Sequence, residues 1–150
     1  TMPDAHRILI VDDGEENIIF YSEVLDEHGY EYSAARDGKE AMEAMSEKRP
    51  DLVLLDIMMP RKSGVVVFKQ MKKDPNLEKI PIIIITGASS VTGVDMKTGE
   101  EAPKETYDDD MSRRYGTRLH EMLQDIEPDG FLEKPVEPDA LISKIKEILK

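Results

Sequence analysis

At 150 residues and 17.0 kDa, 39% hydrophobic and 35% charged, the chain has the size and balance of one soluble globular domain with a substantial core. A net charge of −12 argues against nucleic acid as a direct partner, and the absence of cysteine excludes disulfides and thiolate metal sites. No apolar stretch is long enough to cross a bilayer and no signal peptide is visible, so a cytoplasmic protein without membrane contact is expected.

Thr1 ahead of Met2 reads as a cloning remnant, which makes residues 1–5 an extension outside the domain and the chain a cloned fragment. From there strand and helix signals alternate, the pattern of βαβ units in a parallel sheet. The run RILIV at residues 7–11 predicts a first strand that ends in Asp12-Asp13. Residues 15–27 predict a helix with Ile18, Tyr21, Val24, Leu25 and His28 on its inner stripe, stopped by Gly29. Residues 30–35 carry a weaker strand pattern, suited to a place nearer the edge of the sheet. Asp37-Gly38 then turns into a second helix whose inner stripe is Ala41, Met42 and Met45, with the methionines as core filler.

The rest of the chain is organised around DLVLLDIMMP, residues 51–60. An unbroken apolar run at residues 52–55 leads straight into Asp56, which reads as a strand buried on both faces. A carboxylate inside such a sheet is costly, so Asp56 is expected to emerge at the strand's carboxyl end. That edge is where open α/β sheets bind ligands. Ser63 is a candidate cap for a helix over residues 65–73, although Val65-Val66-Val67-Phe68 locally prefers strand. Residues 80–86 form the most apolar strand, a central one, and it ends in Thr86.

Beyond Thr86 the rhythm breaks. Residues 110–124 predict a helix with Met111, Tyr115, Leu119, Met122 and Leu123 on one side. Residues 87–107 fit no element, 21 positions where a βα loop has roughly 2 to 6. Order returns with Phe131-Leu132, which leads to Lys134-Pro135. Pro138 then opens a last helix with Leu141, Ile142, Ile145, Ile148 and Leu149 on its apolar face.

If the strands are parallel, Asp12, Asp13, Asp56, Thr86 and Lys134 meet at one edge of the sheet. Three carboxylates there repel one another, and hard oxygen ligands of this kind suit Mg²⁺. An Asp carboxylate can also act as a nucleophile toward phosphorus, forming an aspartyl phosphate. Lys134 would supply a second positive charge, and the Thr86 hydroxyl could bond a phosphoryl oxygen. Taken singly, each feature has an ordinary reading: a turn or helix cap for the acids, a structural role for Thr86 and Lys134. Their coincidence at one edge favours phosphoryl transfer onto Asp56.

VDD at 11–13, LLDIMMPRKSG at 54–64, the strand ending in Thr86 and FLEKP at 131–135 resemble the receiver domain of two-component response regulators. Asn17 and ARDGKEAM at 35–42 add to the likeness, which covers residues 6–88 and 128–150. It implies a single α/β, flavodoxin-like receiver domain over residues 1–150. The sheet would be doubly wound, five-stranded and parallel, in order 2-1-3-4-5, with helices on both faces. The fourth βα crossover, residues 87–127, would be atypically long.

The resemblance also implies that Asp56 accepts a phosphoryl group from a sensor histidine kinase or phosphotransfer protein. The domain would then switch conformation to signal to an output partner or domain, whose identity the sequence leaves open. It would catalyse only its own phosphorylation and dephosphorylation. On the same likeness Asp13, Asp56 and the Met58 carbonyl ligate Mg²⁺ directly and Asp12 acts through water. Thr86 and Lys134 would hold the phosphoryl group, and Lys134-Pro135 would be a cis peptide. Phe131 takes the place of an aromatic switch, without the hydroxyl of a tyrosine. Met58 and Ala88 are apolar where many receivers carry polar groups, which points to a longer-lived phosphoryl group. The loop at 87–107 has few apolar anchors, so low local stability and a response to phosphorylation are expected of it.

Two rival readings fit less well. An Mg²⁺-dependent aspartyl-phosphate phosphatase or transferase would want a second acid two residues past its nucleophile, where this chain has Met58. A degenerate receiver, kept only as an interaction surface, would have lost an acid or Lys134, and all are present.

Overall fold

The computed structural model describes residues 6–57, 64–86, 121 and 128–149. Within them run the strands β1 (Arg7–Val11), β2 (Glu31–Ala35), β3 (Leu52–Asp56), β4 (Ile82–Thr86) and β5 (Gly130–Glu133). The helices are α1 (Glu15–Glu27), α2 (Gly38–Glu47), α3 (Gly64–Lys73) and α4 (Pro138–Ile148). All four strand pairings are parallel, as the βαβ alternation predicts, and the order is β2-β1-β3-β4-β5, the one that the receiver resemblance implies.

Successive residues of a strand face opposite sides of the sheet, and that alternation sorts the core into two layers. On one side Leu9, Val11, Val53, Leu55, Ile82 and Ile84 pack with Met45 of α2 and with Val67, Phe68 and Met71 of α3. On the other, Ile8, Ile10, Leu52, Leu54, Ile83 and Ile85 pack with α1 and α4. β3 and β4 are buried along their whole length, which is why they read as unbroken apolar runs. β2 is an edge strand with residues 32–34 exposed, the physical basis of its weaker pattern.

The helix ends follow local chemistry. Asp37 caps α2 by accepting the Glu40 N–H at 2.8 Å. Asp37→Ala should therefore lower stability by about 1 kcal/mol, seen as an earlier urea midpoint at unchanged slope. α1 ends in a Schellman turn: Tyr30 N–H donates to the Leu25 carbonyl and Gly29 N–H to that of Asp26, with Gly29 at φ +79°. The valine-rich start of α3 is helical because Val65, Val67 and Phe68 are buried against the sheet. Each such burial is worth about 1.5–3 kcal/mol, against propensity differences of at most about 0.7 kcal/mol per residue.

Three details differ from the sequence reading. His28 is the exposed C-cap of α1 rather than part of its stripe, its ring Nδ1 lying 2.9 Å from the Val24 carbonyl oxygen. Tyr30 belongs to the Schellman turn, so β2 begins at Glu31. Ile80 lies in the turn before β4, because Pro81 has no N–H to enter a ladder and offers only its carbonyl, to Val53 N–H. The Ser63 cap, residues 1–5, the loop at 87–107 and all but residue 121 of the helix at 110–124 lie outside the described residues.

Candidate functional site

Parallel register sets the chemistry-bearing residues in a row. Val11 pairs with Leu55, so Asp12 and Asp56 each stand one step further along. Asp56 pairs with Ile85, and Thr86 with Glu133, which brings Thr86 and then Lys134 to the same edge. The ladder runs on past the strands, with Asp12 N–H donating to Ala35 and Lys134 N–H to Thr86, each at 3.0 Å. Asp12, Asp56 and Thr86 are buried, Asp13 is exposed and Lys134 is half-buried.

One carboxylate oxygen from each of Asp12, Asp13 and Asp56 lies within 4.8 Å of the other two. Lys134 Nζ reaches into this cluster and donates to Asp56 Oδ2 at 3.5 Å. The Lys134-Pro135 peptide bond is cis. All five expected side chains therefore come from the strand ends that the sequence assigns them, although Met58, the expected carbonyl ligand, lies outside the described residues.

Asp12 is held by its own turn. Its Oδ1 accepts Gly14 N–H at 2.8 Å and Asn17 Nδ2 at 3.3 Å. Its Oδ2 is buried and, among the described residues, has no hydrogen-bond partner. At an effective dielectric near 20, two carboxylates this close repel by about 3 kcal/mol, and Asp12 and Asp56 are both buried. Among the described residues, the partly exposed Lys134 ammonium offsets only part of that charge. An all-oxygen donor set, an excess of negative charge and an orphaned buried carboxylate oxygen together fit a hard divalent cation such as Mg²⁺.

Three contributors are not legible as such in the sequence. Asn17 adds to a family likeness there but receives no role, and the structure ties it to Asp12. The backbone N–H of Gly14 likewise becomes visible only once the turn is formed. Gly64 opens α3 with its Cα against the end of β3. A Cβ there would collide with the Asp56 carbonyl oxygen and sit 2.9 Å from Ile57 Cα, both rigid backbone. Gly64→Ala should cost about 1–3 kcal/mol and slow labelling by acetyl phosphate, because relief of the clash moves the backbone that carries Asp56. Urea titration and labelling rate check the two effects separately.

Residues 8–101 match the model of the response regulator receiver domain family. The chain belongs to that family. This receiver domain is 49% identical over 83 residues to the "Probable cyclic di-GMP phosphodiesterase" of Vibrio cholerae, a stretch that covers 55% of the chain and 19% of that protein. It is 40% identical over 79 residues to the polar-differentiation response regulator DivK of Brucella anthropi, covering 53% of the chain and 64% of DivK. The chain thus spans less than two thirds of the length of these relatives. Its fold is that of the Vibrio cholerae chemotaxis protein CheY4, with a TM-score of 0.71 at 23% identity over 97% of this chain and 99% of that one. A receiver domain of a histidine kinase from Syntrophus aciditrophicus gives the same TM-score of 0.71 at 27% identity, over 97% of this chain and 90% of its own. No helix among the described residues is long and apolar enough to cross a membrane.

Proposed function

We propose that residues 1–150 act as one receiver domain in which Asp56 accepts a phosphoryl group from a sensor histidine kinase or phosphotransfer protein. The observation that carries this reading is the Lys134 ammonium on Asp56 Oδ2, inside a cluster that also holds the carboxylates of Asp12 and Asp13. A carboxylate oxygen of Asp56 attacks the phosphorus of the donor, and the phosphorus–nitrogen bond of a phosphohistidine breaks. The bond's electron pair returns to the departing imidazole. Lys134 keeps its positive charge beside the transferred group, and the Thr86 hydroxyl donates to a phosphoryl oxygen.

Asp13 and Asp56 would hold Mg²⁺ directly and Asp12 through water, in keeping with the clustered oxygens and the orphaned Asp12 Oδ2. Bound there, the metal supplies charge neutralisation for the phosphoryl oxygens. The domain catalyses its own phosphorylation and dephosphorylation and is not a metabolic enzyme. It works in the cytoplasm and passes a conformational change to an output partner. Incubation with acetyl phosphate and Mg²⁺ should add one phosphoryl group per chain by intact mass. A chain that stays unmodified in phosphodonor and Mg²⁺ would sink the reading.

A further inference from the structure

The strands that carry the site are uniformly apolar. Residues 8–11 of β1, 52–55 of β3 and 82–85 of β4 are all aliphatic and buried, so a slip of one residue exchanges one buried aliphatic for another. In β5, Phe131 packs on one core layer and Leu132 on the other, both half-buried. The alternation of polar and apolar faces that ordinarily sets a register is therefore missing from this part of the sheet. A one-residue slip nonetheless turns every side chain to the opposite face, and the site needs Lys134 at Asp56.

Polar contacts at the opposite edge of the sheet supply what the apolar pattern lacks. Asp51 directly precedes β3. Its N–H donates to the Arg7 carbonyl at 2.8 Å and its Oδ2 accepts Arg7 N–H at 2.7 Å. Asp129 stands in the same relation to β5: its N–H donates to the Ile82 carbonyl at 3.1 Å and its Oδ2 accepts Ile82 N–H at 2.8 Å. In both places an aspartate takes up both backbone groups of the first residue of the neighbouring strand, β1 or β4. Such a clamp closes in one register only. Moving β5 by one residue would set against Ile82 either Pro128, which has no N–H, or Gly130, which has no carboxylate. Pro50 and Leu52 flank Asp51 with the same consequence. The Lys72 ammonium, 3.9 Å from Asp129 Oδ2 and partly exposed, adds little to the clamp.

We propose that Asp129 is a positioning residue for phosphoryl transfer: by holding both backbone groups of Ile82 it fixes the register of β5 and with it the place of Lys134 beside Asp56. Only Gly130–Glu133 lie between the clamp and Lys134, whose own N–H closes the far end of the ladder on the Thr86 carbonyl at 3.0 Å. The role rests on the reading of Asp56 as phosphoacceptor with Lys134 as its counter-charge. It adds a residue from the edge of the sheet remote from the chemistry.

Asp129→Ala removes the acceptor, and labelling by acetyl phosphate and Mg²⁺, measured where the variant is fully folded, should slow roughly 3- to 10-fold, the range of one hydrogen bond. Asp129→Asn should label at nearly the parent rate, because its amide oxygen is still an acceptor. Asp129→Glu keeps the charge but carries its carboxylate one methylene further out, and should be as slow as Asp129→Ala. If Asp129→Ala fails to fold, the contrast between Asn and Glu decides in its place. Lys72→Met, which removes the ion pair and leaves the clamp, should label at the parent rate. In a Lys134→Ala background Asp129→Ala should add little further loss. Backbone nuclear Overhauser contacts between Ile84 and Phe131, partners in the sheet, should weaken in the Ala and Glu variants and persist in Asp129→Asn. Labelling of Asp129→Ala at the parent rate would overturn the proposal, as would unaltered β4–β5 contacts or an equal loss with and without Lys134. If the unsubstituted chain itself took up no phosphoryl group, the phosphoacceptor reading would fall, and the part of Asp129 in the reaction with it. Parent labelling that the variant matches would overturn Asp129 alone.

Discussion

Asp56→Asn should abolish labelling by acetyl phosphate and Mg²⁺, under conditions in which the unsubstituted chain gains one phosphoryl group by intact mass. Asparagine matches aspartate in shape, so β3 should pack as before, but its amide is not a nucleophile toward phosphorus. The substitution also removes one of three mutually repelling carboxylates, so the variant should melt no lower than the parent. Asp12 and Asp13 are the competing acceptors. Asp12 is bound into the β1–α1 turn by Gly14 and Asn17, and the Lys134 ammonium sits on Asp56 rather than on Asp13. A mass shift that persists in Asp56→Asn would move the acceptor to one of these residues and defeat the assignment.

Mg²⁺ should stabilise the chain markedly against heat. A ligand that binds only the folded state contributes about 2.7 kcal/mol when present at 100 times its Kd. For a domain of this size that corresponds to a rise in Tm of roughly 5–10 °C. The direction follows from the repulsion among Asp12, Asp13 and Asp56, which the folded state must bear and which a divalent cation turns into attraction. Asp13→Ala should shrink the Mg²⁺-dependent rise while leaving the metal-free Tm equal or higher. Asp13 is exposed, so its removal opens no cavity and deletes one like charge. Calorimetric scans in chelator and in millimolar Mg²⁺ make the comparison. Superimposable scans, with no heat of binding on titration, would rule out the metal site.

The two effects can be separated from each other and from folding. Loss of labelling in Asp56→Asn with an intact melting transition isolates the nucleophile. Loss of the Mg²⁺ response in Asp13→Ala isolates the counter-charge. Gly64→Ala, by contrast, should impair labelling and stability together, because it acts through the backbone that both depend on.

The sequence by itself determined most of the described elements, their βαβ alternation and the candidate site residues. These rest on short-range signals: apolar runs for β3 and β4, a 3.6-residue stripe for α1, Asp37 before α2 and Gly29 after α1. Burial, capping and periodicity act over a few residues, so a single chain displays them. Tertiary structure decided what those groups do to one another. Lys134 and Asp56 are 78 positions apart, and only the register of β3, β4 and β5 brings them within 3.5 Å. The need for glycine at position 64 exists only because α3 presses on the end of β3. Tyr21 reads as one more stripe residue until packing makes it part of the wall of the cleft that Asn17 and Lys134 share. Local pattern carries no record of which distant side chain will stand opposite, because that is set by how all the layers close together.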